Sequence, residues 1–150
     1  MILAAIDIGS NAARLLICET SVYTDGTVDY TKLTLLRIPL RLGFDVFDKG
    51  YVTEEKKAKL METLKAYKLL MSNYNVEGYK ACATSAMRDA ANGPEILKQI
   101  LDETGLKINI ITGQEEANII YETHIAEKLS GNKSYLYIDV GGGSTEVTLY

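Results

Sequence analysis

Short apolar segments with the composition of strands dominate the first forty residues. Ile2–Ile8 is apolar and β-rich, and Arg14–Thr20 has the pattern of a returning strand after a hairpin turn at Gly9–Ala13. A second turn signal at Thr24–Thr27 leads into a third strand over about Tyr30–Ile38. This pattern predicts an opening meander of three strands.

After the meander, the pattern predicts helices that alternate with strands. An N-cap at Thr53 and apolar residues at helical spacing predict a helix to about Tyr74, and Pro94 and Gly105 mark the start and the end of a second helix. The remaining predictions are a loop over Arg41–Tyr51, a small polar segment at Ser85–Asn92, a helix over Glu115–Leu129, a buried strand over Ile108–Ile111, and strands over Gly78–Thr84, Tyr135–Val140 and Thr145–Tyr150. This order predicts an α/β fold with a mixed sheet.

A polar break separates the last apolar unit from the rest of the chain. Ser130–Ser134 contains a glycine and follows a predicted helix, and the strand–turn–strand unit Tyr135–Tyr150 comes after it. We therefore expect residues 1–130 to form one α/β lobe and residues 131–150 to begin a second, truncated lobe. Residues 1–150 alone should fold but be almost inactive. One expected assembly is a homodimer in which the last hairpin pairs its edge with a second copy.

Composition and charge narrow the class of protein. The 150 residues are 47% hydrophobic and 24% charged, which excludes a disordered tail, a collagen-like fibre and a disulfide-dense mini-protein. No apolar run reaches the roughly 18 residues that span a bilayer, and no secretory signal is present. A net charge of −4 gives no whole-chain attraction to nucleic acid or to an anionic membrane. Cys18 and Cys82 are predicted to be buried thiols of a cytoplasmic protein.

One strand–turn pattern occurs twice. Ile6-Asp7-Ile8-Gly9-Ser10 near the start is echoed by Ile138-Asp139-Val140-Gly141-Gly142 near the end. Glycine lets a ligand approach the backbone closely, consecutive N–H groups in such a turn bind anions, and an aspartate at the rim can hold a hydrated divalent cation. A single turn of this kind is common in ordinary hairpins, but two of them suggest two related lobes that face each other across a phosphate.

Four sequence blocks then resemble a known family. Ala5–Asn11, Ala83–Ala90, Ile111–Ala117 and Ile138–Glu146, in this order, are similar to the exopolyphosphatase / guanosine pentaphosphate phosphohydrolase family of the actin and sugar-kinase superfamily. The resemblance implies a ribonuclease-H-like (actin-like ATPase) α/β lobe with a mixed sheet, followed by the first hairpin of a second similar lobe.

The resemblance also implies a reaction and residues that carry it. The expected reaction is Mg²⁺-assisted hydrolysis of a terminal phosphoanhydride bond in polyphosphate or guanosine pentaphosphate. Glu116 matches the catalytic base and Arg88 the arginine that binds phosphate oxygens, while Asp139 and Glu146, together with the rim residue Asp7, are the expected metal-binding acids. The expected substrate-binding residues are Gly9, Ser10, Asn11, Arg14, Gly141, Gly142, Gly143, Ser144 and Thr145.

Several alternatives stay open at this level. Glu115 and Glu116 also open a predicted helix, where acids merely complement the dipole, and Arg14, Arg37 and Arg41 have alternative roles as partners of acids. Rival functions are an ATP-using kinase or actin-like ATPase, and a regulatory module without turnover. The sequence departs from the family pattern at Ala12 and Ala13, and at Phe44–Phe47, which is expected to cover a different substrate or to pack on a partner.

Overall fold

The computed structural model describes residues 1–120, 135–142 and 145–149. The strands are β1 (Ile2–Ile8), β2 (Ala12–Val22), β3 (Val28–Pro39), β4 (Gly78–Ala83), β5 (Asn109–Ile110), β6 (Leu136–Val140) and β7 (Thr145–Leu149). The helices are α1 (Leu42–Lys49), α2 (Glu54–Asn73), α3 (Ser85–Asp89), α4 (Gly93–Thr104) and α5 (Gly113–Ile120). The predicted boundary at Ser130–Ser134 and the predicted helix end at Leu129 lie outside the described residues.

Five strands form a mixed sheet in the order β3-β2-β1-β4-β5. β1 pairs antiparallel with β2 and parallel with β4, and β2 and β3 complete the predicted meander. The predicted α/β class with a mixed sheet is confirmed. β6 and β7 form a separate two-stranded antiparallel sheet. The assignment of this hairpin to a second lobe stays a prediction.

The core lies on one face of the five-stranded sheet. Ile6 and Ile8 of β1 and Leu15 and Ile17 of β2 alternate along their strands and are buried. Helix α2 packs against β2 through residues at helical spacing, including Leu60, Leu64 and Tyr67. The buried Tyr67 hydroxyl donates to the Ala13 carbonyl at 3.0 Å, and burial raises the pKa of Tyr67 to about 12. β1 is therefore held in the middle of the packed core.

The opposite face of the sheet carries charged side chains. Asp7, Arg14 and Arg37 lie in register across β1, β2 and β3. Two arginines directly opposite each other repel, so this row is arranged at a cost in stability. Cys18 and Cys82 are free thiols and half-buried, which corrects the prediction that they are fully buried. Among the described helices, none has the length and apolar character needed to cross a membrane.

The predicted loop over Arg41–Tyr51 is wrong, because α1 occupies most of it. Leu42 and Val46 are buried one helical turn apart, and the Gly50 N–H donates to the Val46 carbonyl with Gly50 at φ 81°. Gly43 favoured a loop in the sequence, yet it is buried where a Cβ would lie 3.0 Å from the Ser10 Cβ. The glycine therefore permits close packing of a helix rather than a loop.

Two shorter predictions are also corrected. The predicted polar segment Ser85–Asn92 contains the short helix α3, in which Ala86 and Met87 are fully buried. The predicted buried strand Ile108–Ile111 is reduced to the two residues of β5, which are exposed because β5 is the edge strand of the sheet. Both errors arise from tertiary packing, which local polarity does not report.

Candidate functional site

The first glycine turn connects β1 and β2, and it is held by a hydrogen bond within the turn and by another to α3. The Gly9 N–H donates to the Ala12 carbonyl at 3.0 Å, which closes the turn. Ser10 is buried, and its Oγ shares a hydrogen bond of 2.8 Å with the Oγ of Ser85 at the start of α3. The turn is thereby fixed to the helix that follows β4.

The segment after β3 holds the same turn from the side. The Asn11 carbonyl accepts hydrogen bonds from the N–H groups of Leu40 and Arg41, at 3.1 and 2.9 Å, and the Ser10 carbonyl accepts one from Gly43 at 2.9 Å. These bonds satisfy backbone groups that a tight turn leaves unpaired within the sheet. The position of the turn is consequently set by β1, α3 and the start of α1 together.

An ion pair flanks the turn. Arg14 Nη1 lies 3.5 Å from Asp7 Oδ2, and the two side chains are 59% and 44% exposed. Burial raises the pKa of Asp7, and the Arg14 charge offsets this only in part. Arg14 therefore forms an ion pair with an acid, as one of the alternatives predicted, and the acid is Asp7. The Arg14 side chain stays largely exposed in this pair.

Glu116 is placed by a capping box at the start of α5. The Glu115 N–H donates to Thr112 Oγ1 at 3.2 Å, and Glu115 Oε2 accepts from the Thr112 N–H at 2.7 Å. The Thr112 N–H and the Thr112 hydroxyl both donate to the Glu115 carboxylate and lower the pKa of Glu115, which accordingly has the structural role that the dipole argument allowed. The Thr-x-x-Glu spacing at 112–115 was the signal for this start. The next residue, Glu116, is half-buried and bonds through its N–H to the Thr112 carbonyl.

A cavity of about 250 Å³ brings most of these groups together. Its lining residues are Asp7, Gly9, Ser10, Asn11, Ala12, Arg14, Thr84, Glu116, Val140, Gly141 and Gly142. Residues far apart in the chain, from both glycine turns and from α5, thus surround one small polar space. Thr84 is the member that the sequence analysis did not single out, although it lies inside the second resembling block.

The second turn meets the first at one point. A Cβ added to Gly142 would lie 2.5 Å from Cγ of Asn11 and 2.7 Å from its Oδ1, closer than real side chains approach. A side chain at position 142 would therefore require the exposed Asn11 amide to move, because that amide occupies the space beside Gly142. The two turns meet at this contact.

Other predicted site residues are not part of this cavity. Arg88 lies in the last turn of α3, where its Nε lies 3.3 Å from Asp89 Oδ1 and its Nη1 donates to the Ile111 carbonyl at 3.3 Å. Thr145 begins β7 and does not line the cavity either. Gly143, Ser144 and the side chains of Asp139 and Glu146 lie outside the described residues.

The described side chains do not test the magnesium prediction. Asp7 and Glu116 bring two carboxylates to one cavity, and oxygen ligands of this kind are those that Mg²⁺ prefers. In the described part of the chain, no group of three or more His, Cys, Asp or Glu side chains could hold a metal ion. Two of the three expected ligands, Asp139 and Glu146, have side chains outside that part, so the magnesium site stays a prediction.

Comparison with known proteins identifies the family. Residues 22–150 match the family described as the Ppx/GppA phosphatase family. The chain belongs to this family. Membership confirms the resemblance of the four sequence blocks, and the cavity of this Ppx/GppA chain is lined by residues from all four of them.

Relatives of this Ppx/GppA chain are larger proteins. It is 36% identical over 149 residues to the bifunctional 3-dehydroquinate synthase/phosphatase of Fusobacterium nucleatum, which covers 97% of the chain and 22% of the relative. It is 30% identical over 146 residues to the guanosine-5'-triphosphate,3'-diphosphate pyrophosphatase of Photobacterium profundum, with 97% and 28% covered. It is 32% identical over 151 residues to exopolyphosphatase 2 of Mycobacterium tuberculosis, with 97% and 47% covered. The chain thus spans less than half of each relative.

Solved structures share the fold along the whole chain. A Ppx/GppA family member from Aquifex aeolicus is 30% identical with a TM-score of 0.78, over 100% of this chain and 51% of the other. An exopolyphosphatase from Cytophaga hutchinsonii is 28% identical with a TM-score of 0.86, over 99% and 46%. The predicted actin-like lobe with its mixed sheet is confirmed.

Proposed function

We propose that the protein is a phosphoanhydride hydrolase that releases the terminal phosphate of inorganic polyphosphate, guanosine pentaphosphate or both. Family membership supports a phosphatase, and two relatives are named exopolyphosphatase 2 and guanosine-5'-triphosphate,3'-diphosphate pyrophosphatase. The observation that carries the proposal is the cavity in which both glycine turns, Asp7, Arg14 and Glu116 meet. A phosphate and an attacking water both need such a polar space with a carboxylate on its wall.

The two turns are proposed to hold the terminal phosphate. Turns rich in glycine let phosphate oxygens approach the backbone closely and form anion-binding concavities. Gly9–Asn11 would supply one side of this cradle, and the second turn, Gly141–Thr145, would supply the other through Gly141 and Gly142, which line the cavity. The cavity between Asn11 and Gly142 is supporting evidence, because only small residues leave room there.

Glu116 is proposed to act as the general base. Its carboxylate takes a proton from a water molecule, and the water oxygen forms a bond to the terminal phosphorus. The bond from that phosphorus to the bridging oxygen breaks, and the bridging oxygen leaves with the shortened chain, so that orthophosphate and the shorter product result. The half-buried position of Glu116, one residue beyond a fixed helix start, supports this role because a base must be held in place.

Two arginines are proposed to bind the phosphate oxygens. Arg14 lines the cavity and is held beside Asp7 at 3.5 Å. Arg88 lies outside it, but its contact with the Ile111 carbonyl holds it beside the loop that begins α5. A guanidinium has five N–H donors, so the two interactions of Arg88 leave donors for a phosphate. Both arginines would stabilise the negative charge that grows on the oxygens as the bond breaks.

Magnesium is proposed as the cofactor, held by Asp7 together with Asp139 and Glu146. The carboxylate of Asp7 fits this role, since it lies on the wall of the cavity and is an oxygen ligand. When bound, the cation neutralises charge on the phosphate oxygens. Asp7 also orients the Arg14 guanidinium, whether or not a cation is present.

The direct test is an assay of phosphate release from long-chain polyphosphate, guanosine pentaphosphate and ATP, side by side, with and without Mg²⁺. It uses the full-length protein, as does every measurement of turnover proposed below. We expect Mg²⁺-dependent release from polyphosphate, guanosine pentaphosphate or both, and little from ATP. Faster release from ATP would favour an actin-like ATPase. No release from any of the three substrates would favour a regulatory module without turnover.

A further inference from the structure

A second cavity lies on the far side of the first glycine turn and has no part in the proposed chemistry. Its volume is about 440 Å³, larger than that of the cavity between the turns. The residues that line it are Pro39, Leu40, Arg41, Phe44, Lys56 and Lys59. Three of these six described residues are basic and none is acidic, in a chain whose acids outnumber its bases by 20 to 16.

Arg41 is held in an unusual backbone conformation at the edge of this cavity. Its φ of 55° and ψ of 43° lie in the left-handed region, which residues with side chains seldom adopt. The Arg41 N–H donates to the Asn11 carbonyl, and the Arg41 carbonyl accepts from Lys56 Nζ. Strain of this kind persists only where surrounding bonds impose it, and it concentrates at functional positions. Here the bonds fix Arg41 as part of the wall of the cavity.

The positive charges in the cavity are not equivalent. Lys56 Nζ lies 3.0 Å from the buried Asp45 carboxylate and 5.8 Å from the centre of the Phe44 ring, so its charge is compensated. Within the part of the chain that the structure describes, neither Arg41 nor Lys59 forms an ion pair. The cavity therefore presents two uncompensated cations beside an aromatic ring that is 70% exposed.

We propose that this cavity is a second anion subsite, in which Arg41 and Lys59 bind phosphate groups of the substrate that lie beyond the scissile bond. The inference rests on the proposed function for the identity of the substrate. Asn11 connects the two cavities, because its carbonyl binds the N–H of Arg41 while its side chain meets Gly142. A chain of phosphates that extends from the first turn past Asn11 would meet the two free cations next.

The test measures affinity against phosphate chain length. Every protein carries Glu116→Gln, so that turnover does not consume the ligand, and isothermal titration calorimetry is run with pyrophosphate, tripolyphosphate and long-chain polyphosphate at fixed ionic strength. We expect Lys59→Gln to weaken binding of long-chain polyphosphate by roughly tenfold and to leave pyrophosphate binding unchanged. Arg41→Gln should show the same dependence on length.

Lys68→Gln is the matched control. Lys68 is an exposed lysine of the same helix, nine residues further on and therefore on its opposite side. The Lys68→Gln substitution removes the same charge as Lys59→Gln and should leave the binding of every ligand unchanged. An equal loss with Lys68→Gln, or a loss with Lys59→Gln that does not depend on chain length, would mean a diffuse charge effect and would overturn the subsite.

Guanosine pentaphosphate distinguishes the two sources of the phosphate groups. If the subsite takes the nucleotide, Lys59→Gln weakens guanosine pentaphosphate binding, and Phe44→Leu weakens it further because a base stacks on the ring. If it takes polyphosphate alone, Phe44→Leu leaves all affinities unchanged. If Lys59→Gln changes the affinity for neither guanosine pentaphosphate nor long-chain polyphosphate, the subsite is overturned. Length-dependent binding without phosphate release by the wild-type protein would instead overturn the proposed function and leave the subsite intact.

Discussion

The two glycine turns that line the cavity have the same sequence pattern but different support. The first follows β1, at the centre of a five-stranded sheet, and hydrogen bonds tie it to Leu40, Arg41, Gly43 and Ser85. The second follows β6 in a two-stranded sheet, and its residues Val140–Gly142 are exposed. A hairpin of two strands has little stability of its own in water. The difference means that core packing fixes one half of the cavity, whereas the other half is held by the contact between the turns and by the packing of β7 on α5.

This asymmetry divides the site residues into two groups with different sensitivities. Asp7, Arg14 and Glu116 are placed by strands and a helix of the first lobe, so a change there should alter chemistry without moving the turns. Asn11 and Gly142 lie where the two turns touch, so a change there should alter the geometry of the cavity. Misplacement by about 1 Å can cost roughly 10²-fold in rate, which makes the two groups separable by kinetics.

The largest effect is expected from Glu116→Gln. The amide keeps the size of the side chain but cannot accept the proton of the water, so turnover should fall by about 10²–10⁴-fold with little change in substrate binding or stability. Phosphate release and thermal unfolding measure these quantities. Glu115→Gln is the control, since glutamine also accepts the hydrogen bond from the Thr112 N–H in a capping box, so stability and turnover should both change little. Near-normal turnover of Glu116→Gln would remove the residue from the mechanism.

The next effect compares one substitution in both turns. Gly142→Ala places a methyl group against the Asn11 amide and should lower turnover by up to roughly 10²-fold, because relieving the clash moves either the Asn11 side chain or the exposed second turn. A Cβ at Gly9 would meet only the Ala12 carbonyl oxygen, at an ordinary 3.6 Å, so Gly9→Ala should cost less. Steady-state rates of phosphate release by both variants measure this difference, and thermal unfolding checks that both variants are folded.

A double substitution tests the cause of the Gly142→Ala defect. Asn11→Ala removes the amide that the new methyl group meets, so the Asn11→Ala, Gly142→Ala variant should be more active than Gly142→Ala alone. Strictly additive losses would show that the contact between the turns does not set the geometry. Equal defects in Gly9→Ala and Gly142→Ala would break the comparison between the two halves.

The elements that local sequence patterns determine were predicted, and those that tertiary packing determines were missed. β1 was predicted with its observed bounds because Ile2–Ile8 ends at a glycine turn, and α2 because its buried residues repeat at helical spacing. The helix α1 was missed because Gly43, required by close packing against Ser10 and Phe47, looks like a loop residue in sequence. Local patterns reveal periodicity, but they do not reveal which glycine is packed against a neighbour.

The site shows the same limit. The repeated Asp-x-Gly pattern pointed to both turns, and the resembling block around Glu116 pointed to the base, and the structure brings Asp7, Glu116 and both turns to one cavity. The sequence did not reveal that Thr84 lines the cavity, because Thr84 is far from the two turns in the chain and approaches them only in the folded structure. It also did not reveal that Arg88 lies outside the cavity, where it donates to the Ile111 carbonyl. The cationic cavity at Arg41 was equally hidden, because it needs the helix α1 that the sequence did not predict.

A third prediction concerns the support of the first turn. Asp45 in α1 is buried, and hydrogen bonds from Thr53, with help from Lys56, lower its pKa to about 2. Because the folded-state pKa lies below the usual value of about 4, the stability that Asp45 contributes is present above pH 4 and is lost as the pH falls toward 2. Asp45→Asn should cost about 2 kcal/mol near pH 6 and nothing near pH 2. Urea unfolding across this range measures the difference, and a cost that does not vary with pH would mean that packing alone is lost.

The smallest effect on stability should come from Asp7→Asn, and its sign should be opposite to that of Asp45→Asn. Burial raises the pKa of Asp7, so the folded state disfavours its charge, and stability falls as the pH rises through the interval between its usual and its raised value. Removing the charge should therefore stabilise the protein slightly at pH 7, by less than about 1 kcal/mol because the side chain is partly exposed and Arg14 offsets part of the burial. The gain should vanish below about pH 4, where the carboxyl group is protonated in either state.

Phosphate release should fall in the same Asp7→Asn variant. A carboxylate that costs stability and supports turnover is held for function, whereas Asp45 is held for the fold. Loss of stability at pH 7 in Asp7→Asn would instead assign Asp7 to the structural group, as the simple partner of Arg14.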